Sequence, residues 1–179
     1  MPIERPAPLR LVSSNEGPLT LELAFRRYAP YVAKVALRLL GRDNEVDDVV
    51  QEVFLIAIKG LSALREQDAI KGWLATVTVR VARKKLRARR LKSWLRLDDA
   101  PDYEDVAAPG ASPEERALLA RVYAVLDLQP ADQRIAWTLR NVEREKLEDI
   151  AEICGCSLAT VKRRVAAAQE AIEEALGDA

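Results

Sequence analysis

Leu147 to Val165 read LEDIAEICGCSLATVKRRV, and this stretch decides which kind of fold the chain can have. Small Ala151 stands where two helices must approach closely, Gly155 follows four residues later at a turn, and Val161 lies six residues further on. That is a short helix, a glycine turn and a second helix whose Val161 faces back into a shared core. Ser157 is placed to cap the second helix and leave its first turn open. In a helix-turn-helix, the N-terminal half of the second helix enters the major groove. Ser157, Thr160, Lys162, Arg163 and Arg164 are then the candidate DNA contacts, the last three suited to phosphates or guanine edges. An ordinary helical hairpin with a glycine turn has the same spacing, so the stretch alone leaves both readings open.

The rest of the chain is helical in the same way. Val46, Val49, Val50, Val53, Phe54 and Ala57 recur at the helical period, with Asp43 or Asn44 available as a cap and Gly60 at the end. Upstream, a helical pattern begins near Leu19, meets Pro30 as a kink or as the first residue of a new helix, and ends at Gly41. A long helix runs from about Ala69 to Ser93 with Ile70, Trp73, Leu74, Val77 and Val81 as its apolar stripe. Further helices are expected at about 113–127, 130–141, 147–154 and 158–176. Ser112-Pro113-Glu114-Glu115 supplies the capping serine, the first-turn proline and the reciprocal glutamate of a helix start. No stretch alternates convincingly as a strand does. The expectation is an all-α protein of two small helical domains, residues 19–96 and 112–179. They are joined by a flexible acidic linker, residues 97–111, and preceded by a disordered extension, residues 1–18.

Charge adds a second constraint. The 28 basic and 28 acidic side chains cancel, but they are segregated. Residues 1–97 hold 19 basic and 10 acidic groups, residues 98–120 hold 1 and 7, and residues 121–179 hold 8 and 11. Between Lys71 and Arg96 there are ten bases and no acid, so this helix needs solvent or an anionic partner. Arg80, Lys84 and Arg87 flank its apolar stripe on one side, with Arg83 further round, as a phosphate track beside a nucleic-acid strand would. Trp73 can stack on a base, or it can belong to the core.

Several classes of function are disfavoured. Histidine is absent, removing the commonest general acid–base group and metal ligand. Cys154 and Cys156 are one residue apart, a spacing of neither a disulfide framework nor a zinc site. With no phosphate loop or nucleophile constellation either, no enzyme, cofactor or metal is expected. Nor is a membrane span or signal segment, and a reducing cytoplasm is the expected compartment.

Taken in order, the segments resemble the extracytoplasmic-function (ECF) sigma factors of bacterial RNA polymerase. Glu45-Val46-Asp47-Asp48-Val49-Val50-Gln51-Glu52-Val53-Phe54 stands where the family has D-A-E-D-L-V-Q-E-V-F. Trp73-Leu74-Ala75-Thr76-Val77 and Arg83-Lys84-Lys85 follow as the start and body of a basic helix. Leu128-Gln129-Pro130-Ala131-Asp132-Gln133-Arg134 is similar to the L-P-x-x-x-R opening of the second domain. Leu147 to Glu152 and Thr160 to Arg164 are similar to its E-I-A-E and T-V-K-S-R elements. The likeness covers roughly residues 20–96 and 112–176.

The resemblance implies partners: core RNA polymerase, promoter DNA and an anti-sigma factor. It puts a polymerase contact on Asp47, Asp48, Gln51 and Glu52, although Asp47 and Asp48 also complement a helix dipole. It puts −10 contacts on Trp73, Arg80, Arg83, Lys84 and Arg87, with a flipped base held by the loop Ser62–Lys71. The acidic linker would thread the polymerase cleft, or serve as a plain tether. Where the family continues T-V-K-S-R-L-x-R-A-R, this chain has Ala167 and Gln169 in place of two arginines. Binding to the −35 element by residues 112–179 alone is therefore expected to be weak, with tethering to polymerase supplying affinity. Two other readings remain: a stand-alone helix-turn-helix regulator, and a sigma-like decoy or adaptor.

Overall fold

Helical propensity, capping and apolar period carry through to the three-dimensional structure, a computed structural model that describes residues 20–60, 67–94, 103 and 106–177. Seven helices follow one another: α1 (Leu21–Leu40), α2 (Val46–Gly60), α3 (Gln67–Trp94), α4 (Pro113–Leu128), α5 (Ala131–Asn141), α6 (Leu147–Cys154) and α7 (Leu158–Gly177). Among the described residues there is no strand. The expected N-terminal extension, most of the expected linker, and residues 61–66 lie outside the described residues. Of the expected base-holding loop, Gln67 to Lys71 are already the first turn of α3.

α1 starts on Thr20, whose hydroxyl accepts from the Leu23 N–H at 3.3 Å. Pro30 neither restarts nor ends it. One helix runs through, because Ala24, Tyr28, Val32, Val35, Ala36 and Leu39 form a continuous buried face on both sides of the proline. At its end Gly41 takes φ 71°, and its N–H donates to the Leu37 carbonyl at 2.7 Å. α2 buries all six residues of its apolar period. Its start differs from expectation: Asp43 contributes its backbone carbonyl to the Val46 N–H at 2.9 Å. Glu45, just before the helix, reaches Arg89 on α3, accepting from Nη2 at 2.5 Å and from Nε at 3.0 Å.

In α3 the expected stripe is present: Ile70, Leu74, Val77 and Val81 are buried, and Trp73 is half-buried against them. A second stripe was not foreseen. Ala75, Val79, Ala82 and Leu86, on the opposite side at 100° per residue, are buried too. This side receives the second group of helices, since α3 touches α5 and α6 as well as α1 and α2.

α4 opens with the full capping box: the Ser112 hydroxyl accepts from the Glu115 N–H at 3.2 Å, and the Glu115 carboxylate accepts from the Ser112 N–H at 2.8 Å. α6 and α7 meet at Gly155, φ 64°, whose neighbour Cys156 donates its N–H to the Ala151 carbonyl at 3.0 Å. The Ser157 hydroxyl accepts from the Thr160 N–H at 3.2 Å, capping α7 as its position implies.

The linker pattern gives no reason to expect contact between the two helical groups, yet they share one apolar core. It runs without a break from Val32, Leu39 and Val53 through Val79 and Leu86 to Ile135, Leu139, Ile150 and Val161. Polar groups tighten the seam. Arg134, 1% exposed, sends Nε to the Leu39 carbonyl at 2.8 Å and Nη2 to the Leu40 carbonyl at 2.7 Å, and its Nη1 binds Asp127. It thus satisfies carbonyls that the last turn of α1 cannot pair internally. The Tyr123 hydroxyl donates to the Arg38 carbonyl at 2.6 Å, and Arg38 pairs with Glu143 at 2.5 Å. Tyr103 is buried, its ring 5.7 Å from that of Tyr123 and its hydroxyl donating to Asp127. A Cβ on Gly41 would meet Tyr123 Cδ1 at 2.6 Å, so a glycine is needed there for packing as well as for its φ.

Candidate nucleic-acid and polymerase interfaces

Because α3 is buried along two stripes, only part of its circumference remains for a ligand. Trp73, Arg80, Lys84, Arg87 and Leu91 fall on that part, within about 60° of one another around the axis. Arg80, Lys84, Arg87 and Leu91 are exposed, Leu91 at 67%. From Trp73 to Arg87 the ridge is about 21 Å long at 1.5 Å per residue. Trp73 is fixed from below: its ring lies so close to Gly60 that a Cβ there would meet Cζ2 at 2.5 Å. Its half-buried ring therefore serves the core with one edge and borders the ridge with the other. Lys71 is exposed, its Nζ 4.9 Å from the Tyr31 ring centre.

The anionic partners that ten bases without an intervening acid demand are partly inside the chain. Lys84 pairs with Glu52 and Lys85 with Asp48, each at 3.2 Å. Arg83 Nε lies 2.7 Å from Asp132 Oδ1, and Arg87 Nη2 lies 3.1 Å from Asp132 Oδ2. Lys84 remains 77% exposed and Arg87 64%, so water screens these two pairs and each holds its partner weakly. Arg83, at 22%, is the most enclosed of the basic candidate strand contacts. An open groove of about 430 Å³, lined by Arg87, Arg90, Leu91, Pro130, Ala131 and Asp132, runs beside that carboxylate.

On α2, Asp47, Asp48 and Gln51 are exposed and Glu52 is half-exposed, with Leu55 (63%) and Ile58 (54%) continuing the same outer face. Sequence reading stopped at the four polar residues. The two apolar ones were missed although they continue the helical spacing of the exposed face, because a leucine or isoleucine in a sequence reads as core.

In the helix-turn-helix, α6 packs against α7, and Ile150, Cys154 and Val161 are buried between them and the core. Lys162 and Arg163 are exposed; Ser157 and Thr160 sit at the helix start with their hydroxyls 2.9 Å apart. Arg164 turns inward, its Nη1 3.3 Å from Cys156 Sγ and its Nη2 3.5 Å from Asp132 Oδ2. Gln169, which stands where an arginine was expected, accepts from the Trp137 indole N–H at 2.7 Å. That position is committed to packing α5 on α7. Burial pushes the Cys154 thiol up to about 11, keeping it protonated and inert at neutral pH. No metal-holding cluster of His, Cys, Asp or Glu occurs among the described residues, and no described helix is long and apolar enough to cross a membrane.

Comparison with known proteins bears on both helical groups. Residues 24–92 match the family model described as Sigma-70 region 2, and residues 119–172 match Sigma-70, region 4. The chain is 32% identical over 164 residues to the RNA polymerase sigma-H factor of Pseudomonas aeruginosa, covering 87% of this chain and 85% of that one. It is 33% identical over 160 residues to the ECF RNA polymerase sigma-E factor of Haemophilus influenzae, covering 84% of each. Among solved structures, the sigma factor RpoE in complex with the anti-sigma factor NepR from Bartonella quintana has a similar fold. It superposes with a TM-score of 0.63 at 24% identity, covering 87% of this chain and 96% of that one.

Proposed function

The chain belongs to the extracytoplasmic-function sigma factors, and from that membership we propose a division of labour among its surfaces. As a sigma factor it directs core RNA polymerase to specific promoters and initiates transcription there. Residues 19–96 act as the domain that binds polymerase and opens the −10 element, and residues 112–179 as the domain that reads the −35 element.

The outer face of α2 is the polymerase contact: Asp47, Asp48, Gln51 and Glu52, with Leu55 and Ile58 supplying apolar area beside them. The ridge of α3 carries the displaced −10 strand, with Arg80, Lys84 and Arg87 on phosphates, Arg83 behind them and Trp73 at the ridge's end. The start of α7 enters the major groove through Ser157, Thr160, Lys162, Arg163 and Arg164. The observation that carries this reading is the α3 ridge, where three bases and a tryptophan share the one face that two packing stripes leave open. Phosphate contacts of this kind make binding fall steeply with salt.

The protein works in the cytoplasm, where its polymerase is, and has no catalytic step of its own. The solved neighbour was captured with an anti-sigma factor, and a partner of that class is proposed for this chain as well. Transcription from purified core polymerase tests the assignment. Arg80→Ala combined with Lys84→Ala is expected to reduce open-complex formation at least tenfold while leaving core binding within about twofold. Equal loss of both would refute the role given to the ridge, and duplex binding without core would favour a stand-alone regulator.

A further inference from the structure

Gly60 ends α2 without the backbone geometry that a terminal glycine usually supplies. Gly41 and Gly155 close their helices at positive φ, and Gly60 does not. Conformation therefore gives no reason for a glycine at this position, and alanine is the better helix former. The reason is space. A Cβ on Gly60 would stand 2.5 Å from Trp73 Cζ2, 2.7 Å from Cη2 and 3.4 Å from Cε2, so the benzo edge of the indole occupies the place of a side chain.

The two backbones at this contact are fixed and the ring is not. Phe54 and Ala57 of α2 are buried in the same core as Ile70 and Leu74 of α3, which holds the end of one helix against the start of the other. Trp73 is half-buried, with its second edge on the open side of α3. Carbon atoms in contact settle about 3.5–4.0 Å apart, so a methyl group on residue 60 drives the ring outward by roughly 1 Å. That movement is toward the ridge of Arg80, Lys84 and Arg87, all three of them exposed.

We propose that Gly60 is a positioning residue for the −10 strand. By leaving room for the indole, it sets the height at which Trp73 offers its ring to a base whose phosphates lie along Arg80, Lys84 and Arg87. The inference rests on the ridge assignment above. A base stacks well only when its plane and its phosphate are both satisfied, and the cations of α3 fix the phosphate. A ring displaced outward then meets the base out of register, although every residue that touches the strand is unchanged.

Holoenzyme reconstituted from the full chain and core polymerase tests this, on the promoter used to test the ridge, with permanganate reactivity of unpaired thymines reporting opening. Gly60→Ala is expected to lower opening about fivefold, the low end of what one stacked base contributes, while core binding stays within about twofold. Trp73→Phe removes the atoms that the added methyl would meet, and it lowers opening by itself. In that background Gly60→Ala is expected to cause no further loss. A loss of opening confined to the tryptophan background supports the positioning role. An equal loss in both backgrounds, or core binding lost in proportion to opening, overturns it. A Gly60→Ala chain that does not fold overturns it too, because the ring is then a core strut that cannot yield. If Gly60→Ala is silent while Arg80→Ala with Lys84→Ala still reduces opening, the positioning role fails and the ridge assignment stands; if both are silent, the ridge assignment fails with it.

Discussion

Arg134 shows how much one side chain can carry that its sequence context does not announce. In the sequence it ends Leu128-Gln129-Pro130-Ala131-Asp132-Gln133-Arg134, the stretch that resembles the L-P-x-x-x-R opening of the second helical group. In the fold it leaves that group and closes the end of α1, with its guanidinium on the Leu39 and Leu40 carbonyls and on Asp127. Burial works against its charge, and the Asp127 carboxylate works for it. Removing the side chain leaves the Leu39 carbonyl and part of Asp127 unpaired in a closed seam, while Arg89 still serves Leu40 and Arg42 still approaches Asp127. Arg134→Ala is expected to lower stability by about 3 kcal/mol in urea denaturation. Arg134→Lys is expected to recover less than half of that, because a lysine cannot fork to three acceptors.

At the scale of the element, α3 holds both what was legible and what was overlooked. Its first stripe, its basic run and its exposed ridge follow from the 3.6-residue period and were readable. The second stripe, Ala75, Val79, Ala82 and Leu86, obeys the same period, but two alanines, a valine and one leucine among arginines read as a helix side turned to solvent. Two apolar stripes on one helix signal two packing partners, which is how the seam could have been found from the sequence. Leu86, 6% exposed on the second stripe, and Leu91, 67% exposed on the ridge, separate the two cases. Leu86→Ala is expected to cost about 2–4 kcal/mol, and Leu91→Ala to stay within ~0.5 kcal/mol, in thermal or urea unfolding.

For the whole molecule, the packing of the two helical groups on one core buries ionisable side chains contributed by each of them. Burial, the first cause for each group, raises Tyr31 and Tyr123 from 10.0 to about 12 and Cys154 from 9.0 to about 11. These groups stay protonated in the fold after they have ionised in the unfolded chain. The stability they contribute is therefore complete below pH 9 and is lost as pH rises through 9–12. Melting temperature is expected to be level from pH 7 to about 8.5 and to fall steadily above about 9, and Tyr123→Phe is expected to flatten that fall. A fall that begins below pH 8 would point to other groups.

The sequence by itself determined the helices, their caps and glycine ends, the turn at Gly155, the basic character of α3 and the family. All of these rest on rules that act within a few residues or on an ordered set of motifs. Only the tertiary structure decided which acids meet the ten-base run: Glu45 on Arg89, Glu52 on Lys84, Asp48 on Lys85 and Asp132 on Arg83, Arg87 and Arg164. A charge in a sequence states a demand for a counter-charge and not its address. The address is set when apolar stripes far apart in the chain bury one another, bringing the carboxylates with them. Thus the stretch Leu147–Val165 was legible as a helix-turn-helix. That its Arg164 would share a carboxylate with Arg83 and Arg87 of α3 was visible only once α6 lay against α3.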